Sequence, residues 1–200
     1  MSRVLITAFK PYDNWTSNAS WLCLEHLTRD LPPEPAVTTR LYAVDYAAVR
    51  QALQADLAAN YDYAIHLGQA PGSTRISLEW VALNLAKAGS SSVEEWQPLE
   101  LPDAPLAMHS TLPLADWAAL LRSADIPACV SHHAGTFLCN ATLYWSLWLS
   151  HQMQLATRSA FIHLPLAPVQ VAAGLGPQPC LSTDLCSAAL RLLLEQLAAP

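Results

Sequence analysis

The first seventy residues alternate between apolar, strand-like runs and helical stretches, and this order constrains the fold more than any other feature. Runs rich in Val, Ile, Leu and Tyr predict three strands: 3–9, 36–42 and 61–67. Stretches rich in Ala and Leu between them predict two helices: 18–29 and 46–59. Asn18 and Asp45 stand where these helices begin, and both are preferred N-cap residues. The βαβαβ order predicts the α/β class, with three α/β/α layers around an open, twisted, mostly parallel mixed sheet.

The remainder of the chain continues the alternation less regularly. It predicts the following elements: a β excursion over 76–85, a long loop over 87–113, a helix over 115–123, a strand over 129–132, a helix over 140–153, a strand over 160–164 and a last helix ending near 198. Thr183 or Asp184 is expected to cap that last helix. Because no linker interrupts the pattern and 52% of the residues are hydrophobic, we expect one domain over residues 1–200.

Composition excludes several partners. The formal charge is −6 and the chain has no basic run, which argues against nucleic acid and anionic membranes. Its apolar runs are too short to span a bilayer, and no export signal is expected, so we predict a cytoplasmic protein. Only 13% of the residues are charged, which is compatible with another subunit that covers part of the apolar surface.

The five cysteines are an odd number and are expected to be reduced thiols. Their spacing lacks the paired pattern of a structural zinc site, so neither a metal nor another cofactor is expected. Cys139 stands apart from the other four because it precedes an apolar helical run. At a helix start it would face unpaired backbone N–H groups and the positive end of the helix dipole, and both favour the thiolate.

Two other residues could complete a nucleophilic site with Cys139. His163 ends an apolar strand, and Glu79 follows another one. A thiol hydrolase needs an imidazole to take and return a proton, and a carboxylate to orient that imidazole. Each residue also has a structural interpretation: a small core thiol, a hydrogen-bonded histidine and a solvated glutamate. Their joint placement at strand ends and a helix start favours catalysis.

Four blocks of the chain carry a resemblance to a known family. They are the opening segment 7–20, the segment 68–84, the segment Ser-His-His-Ala-Gly-Thr-Phe-Leu-Cys-Asn at 131–140 and Phe-Ile-His-Leu-Pro at 161–165 with Gln170 beyond it. The chain resembles the pyroglutamyl peptidase I family, cysteine peptidases of family C15 that remove an N-terminal pyroglutamate. The blocks occur in the family order over nearly the whole chain.

The resemblance implies roles for six residues. It implies a catalytic triad of Glu79, Cys139 and His163. It also implies a substrate pocket in which the rings of Phe9 and Tyr12 form the walls and Gln69 supplies polar contacts to the lactam. The implied ligand is a peptide with an N-terminal pyroglutamyl residue, and the implied assembly is a homo-oligomer, a dimer or tetramer.

The opening loop and the arginine positions depart from the family pattern. Tyr12 replaces a phenylalanine, so its hydroxyl needs a partner if it is buried. An arginine that the family carries after its Gly-Gln motif is absent, although Arg75 lies nearby. A second, expected to assist the oxyanion, falls near Gly89, where Lys87 is the nearest cation. Two alternatives therefore stay open: a cysteine amidase of different specificity, and a weakly active binding or scaffold protein.

Overall fold

Strands and helices alternate along most of the chain in a computed structural model that describes residues 1–87, 96–100, 104–173 and 176–198. The strands are β1 (Arg3–Phe9), β2 (Ala36–Tyr42), β3 (Tyr63–Gln69), β4 (Ile76–Glu79), β5 (Val81–Leu83), β6 (Ala86–Lys87), β7 (Trp96–Gln97), β8 (Ala107–His109), β9 (Ala128–Ser131) and β10 (Arg158–Leu164). The helices are α1 (Ala19–Thr28), α2 (Tyr46–Leu57), α3 (Leu114–Ser123), α4 (Leu138–Gln152), α5 (Pro168–Ala172) and α6 (Thr183–Ala198).

Six strands form one mixed sheet in the order β2-β1-β3-β10-β4-β9. All neighbouring pairs in it are parallel except β10 and β4, which run antiparallel. Helices cover both faces, so the predicted three-layer α/β/α fold with a mostly parallel sheet is confirmed. Two small antiparallel pairs, β5 with β8 and β6 with β7, lie outside this sheet.

Each face of the sheet has its own apolar core because successive side chains of a strand point to opposite faces. Val4 and Ile6 pack with residues of α1, α3 and α6 on one face. Leu5 and Phe161 pack with α2 and α4 on the other. Burying each large apolar side chain contributes roughly 1.5–3 kcal/mol, so both faces stabilise the sheet.

The expected excursion over 76–85 is wrong in its first half. Residues Ile76 and Leu78 are buried in the core shared with α3 and α6, and β4 lies inside the main sheet between β10 and β9. Four residues are too short for periodicity to separate a central strand from a surface ribbon. The strands with which β4 pairs decide between these two possibilities, and they place Glu79 in the main sheet.

Several boundaries differ from the sequence expectation. The third strand lies two residues later than predicted, and the chain forms a short helix, α5, that was not predicted. The cap of α6 is Ser182, whose Oγ accepts from Leu185 N at 3.2 Å, so the prediction of Thr183 or Asp184 is wrong by one position. The predicted loop over 87–113 contains β8, which pairs with β5. Its residues 88–95 and 101–103 lie outside the described residues.

Candidate active site

Strand pairing brings the predicted catalytic residues to one end of the sheet. β3 and β10 are parallel, with Gly68 opposite His163. β4 runs against β10 and places Glu79 opposite Phe161, so Glu79 and His163 are diagonal neighbours. Phe161 belongs to the core on the face covered by α4, and period-two alternation puts Glu79 and His163 on that face as well. Cys139 lies at the start of α4.

His163 and Glu79 form a buried ion pair. Nδ1 of His163 lies 2.8 Å from Oε1 of Glu79, and the two side chains are 13% and 3% exposed. A carboxylate can only accept, so Nδ1–H donates and Nε2 remains for the Cys139 side. Burial by itself lowers the pKa of His163. The charge and hydrogen bonding of the Cys139 thiolate, joined by those of Glu79, outweigh burial and raise this pKa from 6.5 to about 10.

The start of α4 leaves backbone donors beside the Cys139 thiol. Cys139 is the second residue of the helix, which begins two positions earlier than the sequence indicated. The first helical hydrogen bond runs from Ala141 N to Phe137 O, so the N–H groups of Leu138 and Cys139 precede the ladder. Phe137 occupies the N-cap position without a side-chain hydrogen bond. These N–H groups and the positive end of the helix dipole are therefore available to stabilise a negative charge next to the sulfur.

Asn140 anchors this helix start to the neighbouring ribbon, and sequence reasoning did not single out its role. Its Oδ1 accepts from Leu83 N at 2.8 Å, and its Nδ2 donates to the carbonyls of Leu83 and Leu85 at 2.9 and 3.0 Å. Asn140 is fully buried. The sequence signal that could have marked it is an amide side chain directly after the cysteine, at the start of an otherwise apolar helix.

Gly68 allows the sulfur to approach the sheet. A Cβ at this position would lie 2.6 Å from two ring atoms of Phe161 and 3.1 Å from Sγ of Cys139. No side chain fits between the aromatic ring and the thiol. Glycine is therefore required for steric reasons at position 68, the first residue of the Gly-Gln pair at the end of β3.

A narrow cleft of about 40 Å³ opens beside the thiol, well below the ~300–1,000 Å³ typical of sites for drug-sized ligands. Its size suits a small ligand. Three of its lining residues, Phe9, Tyr12 and Gln69, were predicted. The remaining ones are Asn18, Val44, Gly68, Phe137, Leu138 and Cys139. Val44 and Phe137 carry no chemistry that a sequence pattern could flag, because apolar walls resemble any other apolar residue.

Phe9 serves both the core and the cleft. It is 4% exposed, meets Tyr42 edge-on at 6.3 Å between ring centroids and lies 6.4 Å from the ring of Phe161. Tyr12 is half-buried, and burial followed by the nearby Cys139 thiolate raises its pKa, while a hydrogen bond from the Gln69 amide opposes them. Its hydroxyl therefore lies beside the Gln69 amide, which lines the same cleft. Tyr46 also borders the sulfur, and burial and the thiolate raise its pKa to about 12.

Of the two cations considered as substitutes for the family arginines, the structure describes the side chain of Arg75. Arg75 is exposed in the turn before β4 and does not line the cleft. Gly89 lies outside the described residues, and Lys87 is described only as the second residue of β6. Among the described residues, no group of three or more His, Cys, Asp or Glu side chains is arranged to hold a metal ion. Likewise, none of the described helices has the length and apolar character needed to cross a membrane.

A thiol, an imidazole and a buried carboxylate at one end of an open α/β sheet make up the arrangement of a cysteine hydrolase. Comparison with known proteins narrows this class. The family model of pyroglutamyl peptidase (peptidase C15) matches residues 2–199. The chain therefore belongs to the pyroglutamyl peptidase family, whose members are cysteine-type exopeptidases.

Individual relatives agree with the family match. The pyrrolidone-carboxylate peptidase of Pectobacterium carotovorum is 36% identical over 98% of this chain and 93% of its own length. That of Streptomyces coelicolor is 36% identical over 88% of this chain and 84% of its own. The crystal structure of pyrrolidone carboxyl peptidase from Fervidobacterium islandicum superposes with a TM-score of 0.91 at 33% identity, covering 98% of both chains. The Thermococcus litoralis structure gives 0.87 at 29% identity, covering 99% of this chain and 93% of that one.

Proposed function

We propose that this chain hydrolyses the amide bond that follows an N-terminal pyroglutamyl residue, with Cys139 as nucleophile, His163 as proton carrier and Glu79 as the group that orients His163. The observation that carries the proposal is the buried 2.8 Å contact between His163 and Glu79, with the Cys139 thiolate on the other side of the imidazole. Family membership supplies the peptide substrate class.

The first half of the reaction forms an acyl-enzyme. Sγ of Cys139 attacks the carbonyl carbon, and the carbonyl π electrons move onto its oxygen. The N–H groups that precede the ladder of α4 stabilise this oxyanion, as preorganised donors do. The C–N bond then breaks, and Nε2–H of His163 gives its proton to the departing amine.

The second half releases pyroglutamate. His163, now neutral, takes a proton from a water molecule, whose oxygen attacks the thioester carbon. The C–S bond breaks and the electron pair returns to the sulfur of Cys139, which restores the thiolate–imidazolium pair. Glu79 holds Nδ1–H throughout, so Nε2 faces the reacting atoms in both steps.

The cleft accounts for the choice of a small uncharged ring. Phe9 and Tyr12 offer aromatic walls to a flat lactam, and Gln69 offers a polar contact at its inner end. A site that hydrogen-bonds a lactam rejects rings that lack the carbonyl, because its own polar groups then stay unpaired.

The deciding experiment compares fluorogenic pyroglutamyl, prolyl and alanyl amides with the wild-type chain and with Cys139→Ala. We expect turnover of the pyroglutamyl amide alone, and none with Cys139→Ala. Preference for another amide would favour the amidase of different specificity. Equal hydrolysis by both chains would exclude this site and favour a binding or scaffold protein.

We further propose that residues 1–200 form a single catalytic domain that acts in the cytoplasm as a dimer or tetramer and binds no nucleic acid. Large exposed apolar side chains support self-association: Leu106 is 87% exposed and Val169 61%. Light scattering coupled to size exclusion would test this assembly, and a monomer at micromolar concentration would contradict it.

A further inference from the structure

A series of hydrogen bonds behind the cleft joins Gln69 to Gln170, a residue with no role in the mechanism above. Nε2 of Gln170 donates to Oε1 of Gln69 at 2.6 Å and to Ser17 O at 3.0 Å. Oε1 of Gln170 accepts from Ala167 N at 2.9 Å. Both glutamine side chains are buried, 5% exposed for Gln69 and 3% for Gln170.

Backbone groups fix the donor-to-acceptor direction of these hydrogen bonds. The N–H of Ala167 can only donate and the carbonyl of Ser17 can only accept, so the amide of Gln170 has one possible orientation. Its NH₂ group must then face Oε1 of Gln69. A second backbone donor, Ala19 N, also reaches Oε1 of Gln69, at 2.8 Å. The Gln69 amide therefore cannot rotate by half a turn without setting donors against donors.

One polar atom remains after these bonds are counted. Nε2 of Gln69 is buried, and the Tyr12 hydroxyl lies beside it, but their contact falls short of ordinary hydrogen-bond geometry. Oε1 of Gln69 faces α1 and α5, so Nε2 lies on the opposite side, towards the cleft that Gln69 lines together with Tyr12. A buried N–H with so poor a partner is costly, and a ligand that supplies a better acceptor in place of the Tyr12 hydroxyl removes that cost.

We propose that Gln170 is a positioning residue that fixes the polarity of the Gln69 amide, so that the cleft presents an N–H donor to the carbonyl oxygen of the lactam. This inference rests on the proposed function and deepens it. The ring of pyroglutamate carries a carbonyl at this place, whereas the proline ring carries a methylene group. The orientation imposed by Gln170 thus helps to separate the two rings.

The test uses 2-pyrrolidone as a competitive inhibitor and a pyroglutamyl amide as substrate. Gln170→Met keeps the length of the side chain and removes its donors. We expect the inhibition constant of 2-pyrrolidone and the KM to rise about tenfold, the value of one hydrogen bond at the upper end of its range, while kcat changes less than about threefold. The exposed Gln178, replaced in Gln178→Met, is the matched control and should behave as wild type.

A second variant protects the test against a simple packing defect. Gln170→Glu keeps size and the acceptor for Ala167 N but sets an oxygen against Oε1 of Gln69. Inhibition by 2-pyrrolidone should weaken at pH 8 and recover, relative to wild type at the same pH, as the introduced carboxyl group becomes protonated and donates again.

The possible outcomes separate the two proposals. Unchanged inhibition in both Gln170 variants, with an active wild type, would overturn this inference alone. A fall in kcat without a change in KM or inhibition would make Gln170 merely structural and would overturn it too. A wild-type chain that neither binds 2-pyrrolidone nor cleaves the amide would overturn the proposed function, and the inference with it.

Discussion

Replacing Glu79 by glutamine tests the ion pair at the centre of the site. Glu79→Gln keeps the shape of the side chain and an acceptor for Nδ1–H of His163, but it removes a buried negative charge 2.8 Å from the imidazole. The variant therefore separates the charge of the carboxylate from its geometry. We expect a large loss of kcat/KM and a narrower pH range of activity.

The magnitude follows from the geometry. With charge centres about 4 Å apart and an effective dielectric constant of about 20, the carboxylate stabilises the imidazolium by about 4 kcal/mol. This free energy corresponds to roughly a thousandfold in rate. The pKa of His163 is raised to about 10, so the imidazolium is present at neutral pH and is lost as the pH rises through that value. Without Glu79 the pKa falls, and activity should decline at a lower pH.

The assay is kcat/KM for a fluorogenic pyroglutamyl amide between about pH 5 and 11. Asp184→Asn is a matched control, because Asp184 contacts His26 at a similar distance, 2.9 Å, but its side chain is 83% exposed. Exposed pairs contribute at most about 1 kcal/mol, so this control should retain its rate and pH profile. The reasoning is refuted if Glu79→Gln keeps its rate within about threefold and declines at the same alkaline pH as wild type.

Further predictions concern the thiol and the cleft. Brief treatment with iodoacetamide should label Cys139 before the more exposed Cys180, because the His163 imidazole beside its sulfur can take up the thiol proton; peptide mapping that finds Cys180 modified first would contradict it. Gly68→Ala should lower the free energy of unfolding by about 1–3 kcal/mol and reduce kcat, and denaturant titration with unchanged stability would show that the close contacts are relieved easily. Tyr12→Phe should lower the KM by about twofold to tenfold, since its hydroxyl competes with the lactam for the Gln69 amide; a raised KM would instead make the hydroxyl a substrate contact. Phe9→Leu should raise the KM with little change in kcat, and steady-state kinetics showing the reverse would remove this ring from the cleft wall.

Local signals predicted much of the fold because they coincide with physical boundaries. Asn18 accepts from Ser20 N, and Asp45 from Ala48 N at 2.8 Å, so both act as the N-caps that the sequence indicated. β1 and β2 have the predicted bounds, since their apolar runs end at residues that leave the sheet. These features depend on neighbours in sequence, and a single sequence contains that information.

Long-range pairing could not be predicted in the same way. The position of β4 between β10 and β9 depends on strands that are distant in the chain, and nothing in the four residues Ile76–Glu79 specifies them. The bonds of Asn140 to Leu83 and of Gln170 to Gln69 have the same character. Each joins residues more than fifty positions apart, so the polar partners become visible only when the sheet is assembled.

Two buried strand histidines show what separates a proton carrier from a structural side chain. His66 and His163 both lie on apolar strands, and sequence pattern alone treats them alike. His66 is fully buried and its Nδ1 is hydrogen-bonded to the uncharged hydroxyl of Thr7 at 2.8 Å, so burial lowers its pKa to about 3 and it stays neutral. His163 is also buried, yet a carboxylate and a thiolate raise its pKa. Burial makes an imidazole sensitive to its partners, and the charge of those partners decides whether it is an uncharged core residue or an acid poised beside a nucleophile.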